Sequence, residues 1–213
     1  LPLRSEYSVS DEGRINKGAA KILFGKVYLT KGDFQKAKDK LAEVVEHESE
    51  YGFGLHKDYH ANWLRDTEAG IEAVLYIEYK EPPFQHNGEM ALAGPKYSIP
   101  GSLGISALNE ADIPTQELYD QFDNRDLRKK TNFKTEFAHL KTGEILKSSI
   151  PLSGKFWVEG LETGDRCDVN MHIIRYADAI LMYAEALNEL GASTYQIPSW
   201  DGTQSYDISR DKN

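Results

Sequence analysis

The segment holding Phe84, His86, Asn87 and Tyr97 combines flat apolar rings with amide and imidazole groups, the mixture that a neutral polar ligand such as a sugar requires. Trp63 adds a ring whose face suits the C–H surface of a saccharide, although its place in His60-Ala61-Asn62-Trp63-Leu64-Arg65 reads first as a packing anchor. Trp157 and Trp200 stay undecided from sequence. Phe84, His86, Asn87, Tyr97 and Trp63 are therefore the candidate ligand-binding residues. Candidates for other chemistry are weaker. His56 and His60 flank Asp58 at a spacing that can begin a metal site, but no third ligand is placed. Asp120, Asp123 and Asp126 lack the alternation and central glycine of a calcium loop and read as a helix terminus stitched to Arg125 and Arg128. Glu185 and Glu189 lie one helical turn apart on what reads as a solvated face, not across a cleft as a hydrolytic acid–base pair requires. The one basic cluster, Arg125, Arg128, Lys129, Lys130 and Lys134, can hold an anion or simply be solvated. Phosphate-cradling glycines, His-Glu-x-x-His and a Gly-x-Ser-x-Gly elbow are absent from the sequence. No catalytic residue, metal or cofactor is expected.

Composition narrows the class further. The 213 residues are 40% hydrophobic and 28% charged, which is ordinary globular usage. Acids outnumber bases, giving a formal net charge of −9, so phosphate backbones and anionic membranes should be repelled and nucleic acid is not an expected partner. A single cysteine, Cys167, allows neither an internal disulfide nor a thiolate zinc cage. The opening Leu1-Pro2-Leu3 and the polar close Ser209-Arg210-Asp211-Lys212-Asn213 read as the ends of an excised piece.

These side chains need a scaffold, and the periodicity supplies one. Arg14 to Glu46 carries two helical blocks, with Gly32-Asp33 between them as C-terminal glycine and N-cap, which predicts a helical hairpin over 14–47. Ala20, Phe24, Val27 and Tyr28 are expected to face Phe34, Ala37, Leu41, Val44 and Val45. Gly25, Tyr28, Gly32, Asp33, Phe34, Ala37 and Leu41 fall at tetratricopeptide offsets, and a second repeat helix is expected over 175–190 from Ile180, Tyr183, Ala184, Leu187 and Gly191. Ala73 to Tyr79 alternates as a strand, and Lys80 to Asp112 reads as one long ordered loop. A short helix should follow over Pro114 to Asp123, burying Leu118, Tyr119 and Phe122, and a hairpin should turn at Thr142-Gly143 between Phe133–Phe137 and Ile145–Ile150. The fold class is mainly α: tetratricopeptide-like hairpins with long loops and a few short β-strands, as one domain over 1–192 followed by a polar tail or remainder over 193–213.

Several of these stretches together resemble the SusD/RagB-like surface glycan-binding proteins of Bacteroidetes. The resemblance rests on Gly13-Arg14-Ile15-Asn16-Lys17-Gly18-Ala19-Ala20, Val27-Tyr28-Leu29, Gly32-Asp33-Phe34, Pro114-Thr115-Gln116-Glu117-Leu118-Tyr119-Asp120 with Asp126 and Arg128, and Arg175-Tyr176-Ala177-Asp178 running into Met182-Tyr183-Ala184-Glu185-Ala186-Leu187-Asn188-Glu189. It covers roughly Gly13 to Leu190 and looks like less than half of a typical member. Asp126, Arg128, Arg175 and Asp178 read as scaffold residues that can satisfy one another in a buried polar network.

The resemblance implies a SusD-like α-superhelix and non-catalytic binding of an oligosaccharide or polysaccharide by connecting loops at the outer-membrane cell surface. It implies a lipid anchor outside this chain as the only membrane attachment, and delivery of the glycan to a SusC-like TonB-dependent transporter. The alternative from a different class is a helical-repeat adaptor that binds protein through its groove and has no glycan affinity.

Overall fold

Among the residues described, the elements run α1 (Lys17–Thr30), α2 (Phe34–Val45), α3 (Glu48–Tyr51), β1 (Ala73–Ile77), α4 (Glu89–Ala93), α5 (Gln116–Gln121), α6 (Leu127–Asn132), β2 (Phe133–Ala138), β3 (Ile145–Ser153), β4 (Met171–Arg175), α7 (Tyr176–Glu189), β5 (Thr194–Pro198) and β6 (Ser205–Ser209). The structure, a computed structural model, describes residues 1–11, 13–80, 87–191, 194–198 and 205–209. The chain divides into a first unit of residues 1–57, 70–76 and 172–213 and a second of 58–69 and 77–171.

In the first unit the expected hairpin forms for the expected reasons. The Asn16 side chain accepts the Ala19 N–H at 2.9 Å and so caps α1, while Asp33 caps α2. Gly32, at φ +75°, turns the chain between them. The buried face of α1 differs from the expected one. Gly18, Ala19, Ile22 and Gly25 face inward, whereas Phe24 and Val27 are 56% and 46% exposed. The cause is helix spacing: a Cβ on Gly25 would stand 2.5 Å from Leu41 Cγ, so α2 approaches over the small residues and leaves the large ones outside. Ile22, Leu41 and Val44 then pack with Tyr176, Ala179 and Met182 of α7 into one core, each large side chain contributing roughly 2 kcal/mol by burial.

A strand pair absent from the sequence reading completes this unit. β1 pairs with β4, and Val74 and Ile174 enter the same core. β4 runs straight into α7, where the Asp178 carboxylate accepts the Arg175 N–H at 3.0 Å. The Arg175 guanidinium pairs with the buried Glu72, which also accepts the His56 N–H at 3.1 Å. In the second unit Asp126 caps α6 and pairs with Arg128 at 2.6 Å. The expected network of four is thus resolved into separate local arrangements, because each acid sits two or three residues from an N–H that it caps. The polar tail also carries structure, an antiparallel pairing of β5 with β6.

The second unit is built on the predicted hairpin. β2 pairs antiparallel with β3 across Gly143 at φ +70°, with a bulge between Lys134 and Glu136. Phe137 and Leu152 meet Ile99, Leu103 and Leu108 in one cluster, and Met90, Cys167 and Val169 form another, with Trp157 packed against both. The 80–112 stretch is therefore less irregular than expected. It contains α4, whose Met90, Ala91 and Ala93 are buried, a helix too short to register as periodicity. α5 forms where expected, but Leu118 is exposed, while Tyr119 and Phe122 meet Phe133 edge-on at 5.3 and 5.0 Å.

Candidate functional site

A cavity of about 510 Å³ lies within the second unit, a volume in the range of small-molecule sites. Trp63 and Trp157 line it together with Asp66, Lys130, Lys134 and Glu159. One wall starts where the Asp58 side chain accepts the His60 N–H at 2.9 Å and launches a turn of 3-10 helix over Tyr59–Trp63. At its end Trp63 is 8% exposed and held edge-on by Tyr59 and Phe156, with ring centroids 6.1 and 5.6 Å away. The Lys155 ammonium stands 4.8 Å from the centre of the same ring. Trp63 is therefore a packed wall of the cavity.

The opposite wall depends on Gly154. Its N–H donates to the Asn132 carbonyl at 3.0 Å, and a Cβ there would lie 2.7 Å from the Thr131 carbonyl oxygen. Only glycine lets residues 154–159 close over the end of α6 in this way. The turn delivers Trp157 half-buried to the cavity, edge-on to Phe137 at 4.7 Å. Its indole N–H donates to Glu159 Oε1 at 2.9 Å, and the same carboxylate accepts the Lys134 ammonium at 2.9 Å. A ring positioned by packing on one side and by a charged hydrogen bond on the other offers a fixed apolar surface to a ligand.

The sequence-predicted residues occupy different surroundings. Trp63 lines the cavity, as does Trp157, which the sequence left undecided. Asn87 is 2% exposed, donating from Nδ2 to the Val169 carbonyl at 3.0 Å and accepting the Glu89 N–H at 2.8 Å, so its amide holds backbone. Tyr97 is 76% exposed, with the Lys96 ammonium 5.2 Å from its ring. Neither Asn87 nor Tyr97 lines the cavity. Phe84 and His86 lie outside the described residues, as does Trp200. The signal that points to Trp157 in the sequence is its Gly154-Lys155-Phe156-Trp157 context, a close-approach glycine leading into two adjacent rings.

Around the cavity the charges are mostly neutralised. Arg65 pairs with Asp168 at 2.5 Å. Glu68 is buried and accepts the Asn170 N–H at 2.7 Å; desolvation, against that hydrogen bond, pushes its carboxyl up to about 7. Burial likewise pushes the Cys167 thiol up to about 11, which keeps it protonated and unreactive. His60 Nδ1 sits 3.3 Å from the Thr131 hydroxyl, and Glu185 and Glu189 face solvent on α7. Among the described residues no group of His, Cys, Asp and Glu side chains is placed to hold a metal, and no helix is long and apolar enough to cross a membrane. What the arrangement can do is stack and hydrogen-bond a polar ring.

The fold and parts of the sequence are similar to those of known proteins. The SusD family model matches residues 148–199. A SusD-like protein P2 of Formosa agariphila is 27% identical over 209 residues, a match spanning 87% of this chain and 40% of that protein. A crystal structure of a SusD superfamily protein from Parabacteroides distasonis superposes with a TM-score of 0.70 at 25% identity, covering 84% of this chain and 41% of the other. The surface glycan-binding protein A from Bacteroides thetaiotaomicron in complex with laminarihexaose does so with a TM-score of 0.69 at 18% identity, covering 91% and 47%. The chain spans less than half the length of these relatives. Family match, relative and mostly helical fold agree with the motifs read from the sequence, and the chain is similar to SusD/RagB-like proteins over this part of their length.

Proposed function

We propose that this chain, with residues 1–192 as the middle to C-terminal part of a SusD/RagB-like domain, belongs to a non-catalytic protein that binds oligosaccharide or polysaccharide at the outer-membrane cell surface. It passes the glycan to a SusC-like TonB-dependent transporter and is held at the membrane by a lipid anchor outside these residues. The observation that carries the reading is the cavity of the second unit, where Trp157 is fixed by Glu159 beside Trp63. The laminarihexaose complex of a structural neighbour supports a glycan as ligand. Tyr97, with Phe84 and His86 of the same segment, is proposed as a second contact for a long chain. Calorimetry of the full chain against a glycan panel tests this. Trp157→Ala should weaken binding about tenfold or more while the circular dichroism spectrum is retained, since a stacked ring contributes on the order of 1–3 kcal/mol. Absence of affinity for every glycan, or equal affinity in the variant, overturns the assignment.

One observation favours the adaptor reading. The exposed Leu23, Phe24 and Val27 form an apolar stripe at helical spacing along α1. Capture of an outer-membrane protein that is lost in Phe24→Ser, from a chain with no glycan affinity, would support that reading instead.

A further inference from the structure

The polar groups of the cavity are mostly charged. Amide and hydroxyl side chains both donate and accept, and so match sugar hydroxyls without bringing a charge to the site. The lining here has no Asn, Gln or Ser; its one hydroxyl, on Thr67, donates to the Ala61 carbonyl at 2.7 Å, and its one imidazole, on His60, has Nδ1 3.3 Å from the Thr131 hydroxyl. Trp157 directs its N–H to Glu159, Glu159 is shared with Lys134, and Arg65 is paired with Asp168. Among the described residues, Lys130 and Asp66 are the lining charges left without a partner.

Lys130 is also the residue its neighbours isolate. It stands in Arg128-Lys129-Lys130-Thr131-Asn132-Phe133-Lys134, a run with four cations and no acid. The other cations of the run are engaged: Arg128 by Asp126, Lys129 by the Phe122 carbonyl and the Asn124 amide, Lys134 by Glu159. Beside the cavity, Lys155 lies over Trp63 and is likewise without an acidic partner. Against the chain's net charge of −9, a pocket flanked by two uncompensated ammonium groups is a local reversal of sign.

We infer that this cavity selects a saccharide carrying an anionic substituent, a uronate carboxylate or a sulfate ester, over neutral glycans, with Lys130 as the group that receives the anion. The inference rests on the glycan-binding reading above and deepens it. The sugar ring stacks on Trp157, the Lys130 ammonium gives a charge-assisted hydrogen bond to the anion, and Lys155 adds to the attractive field. Asp66 accepts ring hydroxyls and repels the substituent, so the ring is oriented with its anion toward Lys130.

Calorimetry on the full chain with matched probes separates the alternatives: tetragalacturonate against its methyl ester, and a κ-carrageenan tetrasaccharide against its desulfated form. At least one charged probe should bind about tenfold more tightly than its neutral counterpart, with the preference shrinking between 50 and 500 mM NaCl, roughly as the screening length falls from above 10 Å to below 5 Å. Lys130→Gln should bring the charged probe close to the affinity of the neutral one, and Asp66→Asn should strengthen charged-probe binding several-fold, opposite responses that a merely structural role does not give. Preference for the sulfated pair alone supports the inference with sulfate as the anion. Equal, salt-independent binding of charged and neutral probes overturns it and leaves the glycan-binding reading standing. No binding of these probes or of laminarihexaose overturns both.

Discussion

The Glu110 carboxylate accepts the backbone N–H of Tyr97 at 2.6 Å, and with it the N–H groups of Lys96 at 2.6 Å and Ser98 at 2.9 Å. Glu110 itself sits at φ +51°, a conformation an L residue seldom adopts without compensation. Three donors converging on one carboxylate supply it, and they fix the loop backbone that carries the exposed Tyr97 ring.

Glu110→Gln should therefore destabilise the chain by about 1–2 kcal/mol at pH 7, measured by urea unfolding. Burial raises the Glu110 pKa, but the hydrogen bonds from Tyr97, Lys96 and Ser98 outweigh it and hold the carboxyl below its usual value of 4.5. The folded state thus binds this proton less readily than the unfolded one. The stabilisation is present above the ordinary carboxylate range and disappears as pH falls through the lowered value, so the gap between the parent and Glu110→Gln should narrow as the pH falls below 4.5 and close only below that lowered value.

Glu68 gives the opposite sign. Its carboxyl, raised to about 7 by burial, keeps its proton in the folded chain through a range where the unfolded chain has lost it. Stability should fall as pH rises from 5 to 8, by on the order of 2–3 kcal/mol from this group. Thermal melts across that range should show the decline in the parent and a flatter profile in Glu68→Gln.

The approach of α2 to α1 over Gly25 predicts a coupled pair. Gly25→Ala raises helix propensity by about 1 kcal/mol, yet its new methyl meets Leu41 Cγ at 2.5 Å, so a net loss of roughly 1–3 kcal/mol is expected. In a Leu41→Ala background the same substitution should cost far less, and a double-mutant cycle by urea unfolding measures the difference. Additive effects would show that the contact does not govern the hairpin.

The hairpin was legible because Asn16, Gly32 and Asp33 punctuate it locally. Which face of α1 turns inward was not, since hydrophobic periodicity weighs Phe24 and Val27 heavily while the separation of α1 and α2 depends on Gly18 and Gly25 having no side chain. β4 escaped notice because Met171 to Arg175 is short and passes directly into α7. The site shows the same limit at longer range. Trp63 and Trp157 carry no mutual signal along the chain, and the groups that orient Trp157, namely Phe137, Lys134 and Glu159, come from separate segments that folding alone assembles. Asn87 looked like a ligand group because sequence shows an amide's capacity and not that Val169 and Glu89 already engage it.

Because Glu159 tethers both Lys134 and Trp157 before any guest arrives, that side of the cavity gives up little rotational freedom on encounter. Preference among guests should then be written in how long each one stays rather than in how quickly it arrives, and loosening the tether should blur that distinction before it abolishes attachment.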